Sequence, residues 1–225
     1  TSQISPLLSL SEKTLDGELR GLIYRLTEGL GCSARDKGID RRKKFIGNNK
    51  EILARAGIRV GVEITYMPSL LKGRLMPLKG LLWAVHSGEE KPTAIPDGGA
   101  TSINCSANIP SSWYLALGFF PVGKIAIRAD LLERLLANAR QLSRNGAFMV
   151  NSNMMNAIGV NEEKFTFILK SFGYVVIKKD KLLNVSRKKS GKRTSNKLRK
   201  QKTVRAVNSD SPFAILAKLK TGPQS

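Results

Sequence analysis

Between Leu53 and His86 the spacing of apolar residues changes period once. Ile58, Val60, Val62, Ile64 and Tyr66 alternate with Arg59, Gly61, Glu63 and Thr65, and this period of two predicts a half-buried strand over 58–66. Beyond Pro68, the residues Leu71, Leu75, Leu78, Leu82 and Val85 recur at steps of four and three, which is one face of a helix. Pro77 has no amide hydrogen. The pattern therefore predicts a short turn up to Met76, then a main helix from Pro77 with its leucine stripe turned into the core.

Other stretches repeat these two periods. Leu15, Leu19, Leu22, Ile23, Leu26 and Leu30 form a helical stripe that starts after a candidate N-cap at Thr14 and stops at Gly29 and Gly31. Lys124 to Arg128 reads as a short strand. Asp130-Leu-Leu-Glu133 has capping-box spacing at the head of a helix whose apolar face is Leu132, Leu135, Leu136 and Ala139. Residues 152–158 and 162–172 read as helix, tight turn, helix, with Phe165, Ile168, Leu169 and Phe172 buried. Gly173 ends the second helix and Tyr174-Val-Val-Ile177 follows as a strand. In outline this is a nucleic-acid-binding arrangement. Glu162 and Glu163 stand where a groove-reading helix would meet phosphate, however, so a packing role is favoured over a recognition helix. Gly88 to Pro110, rich in glycine, proline and serine, reads as a long surface connection. Trp113, Tyr114, Phe119 and Phe120 beyond it could stack on bases, but they read first as core anchors.

These elements predict an α+β chain, mainly helical with short strands. Residues 1–147 form a helical core domain containing strand 58–66, and 148–177 a small helix-turn-helix-strand unit. Residues 178–209 form a disordered basic linker, and 210–221 a short C-terminal helix. Ser211 and Pro212 start that helix, and its apolar side is Phe213, Leu216 and Leu219. Too short to be stable alone, it needs a surface to dock on.

Charge sharpens the picture. The 225 residues carry 38 Lys and Arg against 17 Asp and Glu, a net charge of +21. Such a balance attracts polyanions, with nucleic acid the commonest for a soluble chain and an acidic membrane surface the rival. Two segments concentrate it: Arg41-Arg-Lys-Lys44, which is either a solvated face or a binding patch, and 178–205, where 13 Lys or Arg face one acid. With few apolar residues the second should be disordered alone, and without aromatics its binding should be electrostatic and blind to sequence. The candidate nucleic-acid-binding residues are therefore Arg41, Arg42, Lys43 and Lys44, then Arg187, Lys188, Lys189, Lys192, Arg193, Lys197, Arg199, Lys200 and Lys202.

Catalytic chemistry is missing from the inventory. No Gly-x-x-x-x-Gly-Lys-Ser/Thr loop occurs. His86 is the single histidine, and Cys32 and Cys105 are the only cysteines, at no metal-binding spacing. Two distant thiols fit a reducing, cytoplasmic setting. No apolar run reaches the ~20 residues of a membrane span, so no membrane partner is expected. No catalytic residue, metal ligand or cofactor site is assigned to this chain. Its start at Thr1 rather than Met points to a fragment or a processed product.

Several stretches, in order, carry a resemblance: Gly21-Leu-Ile-Tyr-Arg-Leu-Thr-Glu-Gly-Leu-Gly31, Ala56-Gly-Ile-Arg-Val-Gly61, Met67-Pro-Ser-Leu-Leu-Lys72 and Leu81-Leu-Trp-Ala-Val-His86. Gly118-Phe119, Asp130-Leu-Leu-Glu-Arg134, Phe172-Gly-Tyr174 and Ser211-Pro-Phe-Ala-Ile-Leu-Ala217 continue it. The chain resembles the C-terminal part of alphaproteobacterial superfamily-two helicases similar to the mitochondrial degradosome RNA helicase. The resemblance implies an ATP-dependent helicase, a hydrolase, with its motor domains before Thr1. ATP and Mg are implied only for those motors. This chain would be the accessory region, binding RNA or DNA, single-stranded by preference, beside the motor. As the alternative it is a protein-interaction module for a nuclease or ribosomal partner, docking through 211–220 or the exposed face of 130–143.

Overall fold

The computed structural model describes residues 17–35, 47, 49–88, 95–179 and 182–188. It is an α+β structure in which more residues are helical than lie in the short antiparallel strands, as the periodicity predicts. The described strands form three separate three-stranded sheets.

The three sheets belong to three successive copies of one arrangement. The first module has α1 (Gly17–Glu28), β1 (Cys32–Ala34), a helical segment α2 (residues 49–55), β2 (Arg59–Val60) and β3 (Ile64–Tyr66). The second has α3 (Met76–Ser87), β4 (Ser102–Asn104), α4 (Ser111–Leu117), β5 (Phe119–Val122) and β6 (Ile125–Arg128). The third has α5 (Ala129–Leu142), β7 (Phe148–Met149), α6 (Ser152–Asn156), α7 (Glu162–Ser171), β8 (Tyr174–Lys179) and β9 (Leu182–Arg187). Each runs helix, strand, helix (two helices in the third), then a hairpin whose last strand returns to the middle of the sheet: orders β1-β3-β2, β4-β6-β5 and β7-β9-β8. In the third module, α6 and α7 make a helix-turn-helix with the β8–β9 hairpin as a wing.

A short sequence signature recurs with the topology. Each middle helix ends at a glycine in the left-handed region: Gly57 (φ 70°), Gly118 (φ 92°) and Gly173 (φ 82°). A side chain would be strained there, whereas glycine turns the chain from helix to strand freely. Four residues earlier stands a buried Leu53, Tyr114 or Leu169, and one residue later a buried Ile58, Phe119 or Tyr174. One large side chain before the turn and one after it pin helix and strand into the same core. The buried clusters follow suit. Leu19, Leu22, Ile23, Leu26 and Leu53 centre the first module, and Trp83, Trp113, Leu117 and Phe119 the second. Leu132, Leu136, Phe165, Ile168 and Leu169 centre the third, whose cluster also reaches Ile64 and Ile127 of the other two sheets.

Several expectations are corrected. Strand 58–66 is a hairpin: Arg59 pairs with Tyr66 and Val60 with Thr65, and 61–63 form the turn. The two arms serve different cores: Ile58 and Val60 pack into the first module's cluster, whereas Ile64 and Tyr66 join the cluster of the third. Within the predicted loops, 32–34 and 102–104 are strands, each an outer member of a sheet. The helix after Pro68 begins at Met76, one residue before the expected Pro77, after two 3-10 turns, with Pro77 in its first turn and Gly88 as its left-handed cap. Its buried face is different from the leucine stripe. Met76, Lys79, Gly80 and Trp83 are buried, whereas Leu78, Leu82 and Val85 are 54%, 42% and 76% exposed and Leu81 54%. Trp83 packs edge-on against Trp113 with centroids 5.1 Å apart, and a Cβ on Gly80 would stand 2.7 Å from the Trp113 ring. Docking two tryptophans across a glycine buries more apolar surface than the leucines could, and it rotates them outward. Trp113, Tyr114 and Phe119 are core, as read.

The domain boundaries also move. The third module takes its first helix from the stretch assigned to 1–147. Lys178, Lys179 and 182–187, assigned to the disordered linker, are strand residues of β8 and β9. The compact body closes at Lys188. The remaining linker and the helix expected at 210–221 lie outside the described residues, as does Thr14.

Candidate nucleic-acid interface

Of the candidate residues, Arg187 and Lys188 are described. Both are exposed at the end of β9, where Arg187 lies opposite Tyr174 and the Lys188 amide donates to the Gly173 carbonyl at 3.0 Å. Arg41 to Lys44, and Lys189, Lys192, Arg193, Lys197, Arg199, Lys200 and Lys202, lie outside the described residues. At the other end of the same hairpin Lys178 is exposed and meets Glu162 at 2.6 Å. The wing thus carries cations at both ends, Lys178 and Arg187, about 13 Å apart at the ~3.3 Å rise of a strand.

Helix α7 does not present a groove-reading face. Asn161 caps it, accepting from the Lys164 amide at 3.0 Å, and Glu162 and Glu163 take the first turn, where its dipole favours acid over nucleic-acid phosphate. Its outer side meets β4 and the β5–β6 turn: Lys164 Nζ donates to Asn104 Oδ1 at 3.2 Å, and Phe167 lies across Gly123. The packing role inferred from its acids agrees with this contact.

A denser basic surface lies elsewhere, in a groove of about 880 Å³ between the β2–β3 hairpin and α5. Lys50 of α2, Arg59 of β2, and Arg134 and Arg140 of α5 line it, all four exposed. No ion pair involves any of the four among the described residues. The two acids in the wall are already engaged, and Glu133 is buried. Asp130 is held by Arg128, with Nε–Oδ1 at 2.8 Å, and by the Leu131 amide at 2.9 Å. Glu133 points into the β2–β3 turn, where its carboxylate accepts from the amides of Val62, Glu63 (2.7 Å) and Ile64 (2.6 Å). The capping box expected at 130–133 is therefore not made. Helix α5 starts at Ala129 with no side-chain cap, and its Glu133 fastens the first module to the third. Burial pushes the Glu133 carboxyl up, and the three amides pull the other way. Gly61 makes room for it, since a Cβ there would come within 2.2 Å of the carboxyl. From the far side Arg35 Nη1 donates to the Val62 carbonyl at 2.9 Å.

Sequence reasoning missed this groove because its four cations come from positions 50, 59, 134 and 140, none inside a basic run. The available signal was a pair, Arg134 and Arg140, on the polar side of an amphipathic helix. What joined them to Arg59 was a buried glutamate that the sequence assigns to a cap.

The remaining chemistry-bearing residues stay structural. Cys32 is buried and its thiol is pushed up to about 12 by desolvation, opposed by the nearby Lys79 ammonium and reinforced by Glu133. Lys79, 5% exposed, donates to the Leu70 carbonyl at 3.2 Å. His86 is solvated and meets Glu28 at 2.9 Å. Among the described residues no three His, Cys, Asp or Glu gather as metal ligands, and no helix is long and apolar enough to cross a membrane. No family model matches the chain, and neither a curated protein nor a solved structure matches it.

Proposed function

We propose that this chain is a nucleic-acid-binding accessory region, acting on RNA in the cytoplasm beside the motor domains of an ATP-dependent helicase. The observation that carries the binding is the groove where Lys50, Arg59, Arg134 and Arg140 converge while its acids are already engaged. The net charge of +21 and the cationic β8–β9 wing support the same reading. Four exposed cations around one groove suit a phosphate backbone, which they would hold without reading bases. The helicase setting rests on the resemblance of the quoted motifs. A Gly-Lys-Thr loop encoded upstream of Thr1 in the same frame supports it, and a frame without one removes it.

The test is the affinity for single-stranded RNA across a salt series, by fluorescence anisotropy. Each neutralised phosphate contributes about −0.7 to the slope of log K against log salt, so four give a slope near −3 and roughly a fiftyfold loss over a fourfold rise in salt. Arg59→Gln with Arg134→Gln should lower the slope by about 1.4. A salt-independent affinity, or an unchanged slope in the double variant, overturns the proposal.

The exposed stripe Leu78, Leu81, Leu82 and Val85 favours a second reading, a docking face for a protein such as a nuclease or ribosomal partner. A complex with such a partner that survives nuclease and high salt, and that Leu81→Glu abolishes, would support it.

A further inference from the structure

A second groove, of about 760 Å³, opens between the β5–β6 turn and α7. Cys105 borders it just beyond β4, Gly123 and Lys124 form the turn, and Lys164 and Phe167 project from α7. Phe167 is 50% exposed although its neighbours Phe165, Ile168 and Leu169 are wholly buried. Its ring lies over Gly123, where a Cβ would come within 2.6 Å of it, so the glycine leaves room for the ring across the turn. Lys124 and Lys164 are exposed in the same lining, Lys164 Nζ donating to Asn104 Oδ1 at 3.2 Å, against one acid, Glu163.

We propose that this groove holds an unpaired nucleobase of a single strand against Phe167, with Lys124 and Lys164 meeting the flanking phosphates. The inference rests on the reading of the chain as a nucleic-acid binder and adds a site separate from the Arg59–Arg134 groove. An exposed aromatic beside cations is the combination that binds single strands: the ring stacks on any base face and the ammonium groups follow the backbone. A duplex hides base faces inside its stack, so the same site discriminates against paired nucleic acid. Of the aromatics that sequence suggested for stacking, Trp113, Tyr114 and Phe119 are buried, and Phe120 is half-buried against Phe172. Among the described residues the exposed aromatics are Phe167 and Tyr24, and Phe167 is the one lining this groove.

Cys105 makes the groove testable in the unaltered full chain. It is partly exposed, whereas Cys32, the only other cysteine, is buried. The rate of Cys105 alkylation by N-ethylmaleimide is measured alone, with oligouridine RNA, and with an abasic strand of equal length. Oligouridine at saturation is expected to slow alkylation while the abasic strand does not. In a parallel titration Phe167→Leu should weaken oligouridine binding about tenfold, the low end to middle of the effect of one lost stacking partner, and leave abasic-strand binding unchanged. Equal Cys105 rates with bound oligouridine and without it overturn the inference, as does a Phe167→Leu protein that binds both strands like the wild type. Failure of the wild-type chain to bind either strand would instead overturn the nucleic-acid reading on which the inference stands.

Discussion

Replacing Glu133 by alanine removes the carboxylate that hydrogen-bonds the β2–β3 turn to α5. Its carboxylate accepts three backbone amides, from Val62, Glu63 and Ile64, and is itself 5% exposed. Hydrogen bonds to a charged acceptor contribute roughly 1.5–3 kcal/mol each, so the gross interaction is several kcal/mol. Two effects reduce the net. Burial disfavours the carboxylate, which is why its proton affinity is raised. The Val62 and Glu63 amides are only part-buried and can find water, whereas the Ile64 amide is buried and would be left without a partner. One orphaned buried donor costs about 1–3 kcal/mol, and lost packing of the side chain adds to it. The expected loss for Glu133→Ala is thus about 3 kcal/mol. Glu133→Gln should cost less, about 1–2 kcal/mol, because the amide oxygen can retain two of the three donors. Urea denaturation measures both, with the slope checked to be constant between variants. The same variants report on the groove: a turn released from α5 no longer holds Arg59 beside Arg134, so RNA affinity should fall even though no cation has changed. A Glu133→Ala protein within about 0.5 kcal/mol of wild type, or one that binds RNA unchanged, would refute the reasoning.

Three further outcomes are expected. Burial holds the Lys79 ammonium down at about 8 from its ordinary 10.5. Between those values the unfolded chain binds more protons than the folded one, so Lys79 makes stability rise with pH from about 8 to 10.5, its penalty being full below the window. The difference in stability between wild type and Lys79→Met should follow that rise, with an amplitude of order 3 kcal/mol at 1.36 kcal/mol per pH unit, read from denaturation curves across the window. Gly80→Leu must displace the Trp113 ring, which stands 2.7 Å from the first added atom, and should cost about 1–3 kcal/mol by thermal denaturation. Leu82→Glu, in contrast, should change stability by less than about 1 kcal/mol, because that side of α3 faces solvent.

That contrast between Gly80 and Leu82 shows where sequence reading reaches its end. Periodicity placed α1, α3, α5 and α7 within a few residues, since a helix must keep one face apolar whatever it packs against. For α5 and α7 it also identified the buried face, because Leu132 and Leu136, and Phe165 and Ile168, recur at helical spacing on one side of each helix. Helix α3 is apolar on more than one side, and Trp83 with Gly80 outcompeted the leucines once a second tryptophan was opposite. The strands at 32–34 and 102–104 were illegible because three residues carry no detectable period, and they exist by pairing with β3 and β6. The threefold module was likewise hidden, since its common signature is a spacing about three left-handed glycines rather than a shared motif.

By itself the sequence determined the local choices: which stretches coil, where glycine and proline interrupt them, and that the whole is strongly cationic. Those properties belong to single residues and their near neighbours, and no partner is needed to express them. The tertiary structure decided everything that depends on distance in space. It folded 58–66 back as a hairpin, turned the α3 leucines to solvent, and drew Glu133 away from its own helix end to the β2–β3 turn. It also gathered Lys50, Arg59, Arg134 and Arg140 into one groove. A charge count is additive along the chain and can be read there, whereas a site requires side chains to converge, and convergence is set by which buried faces meet.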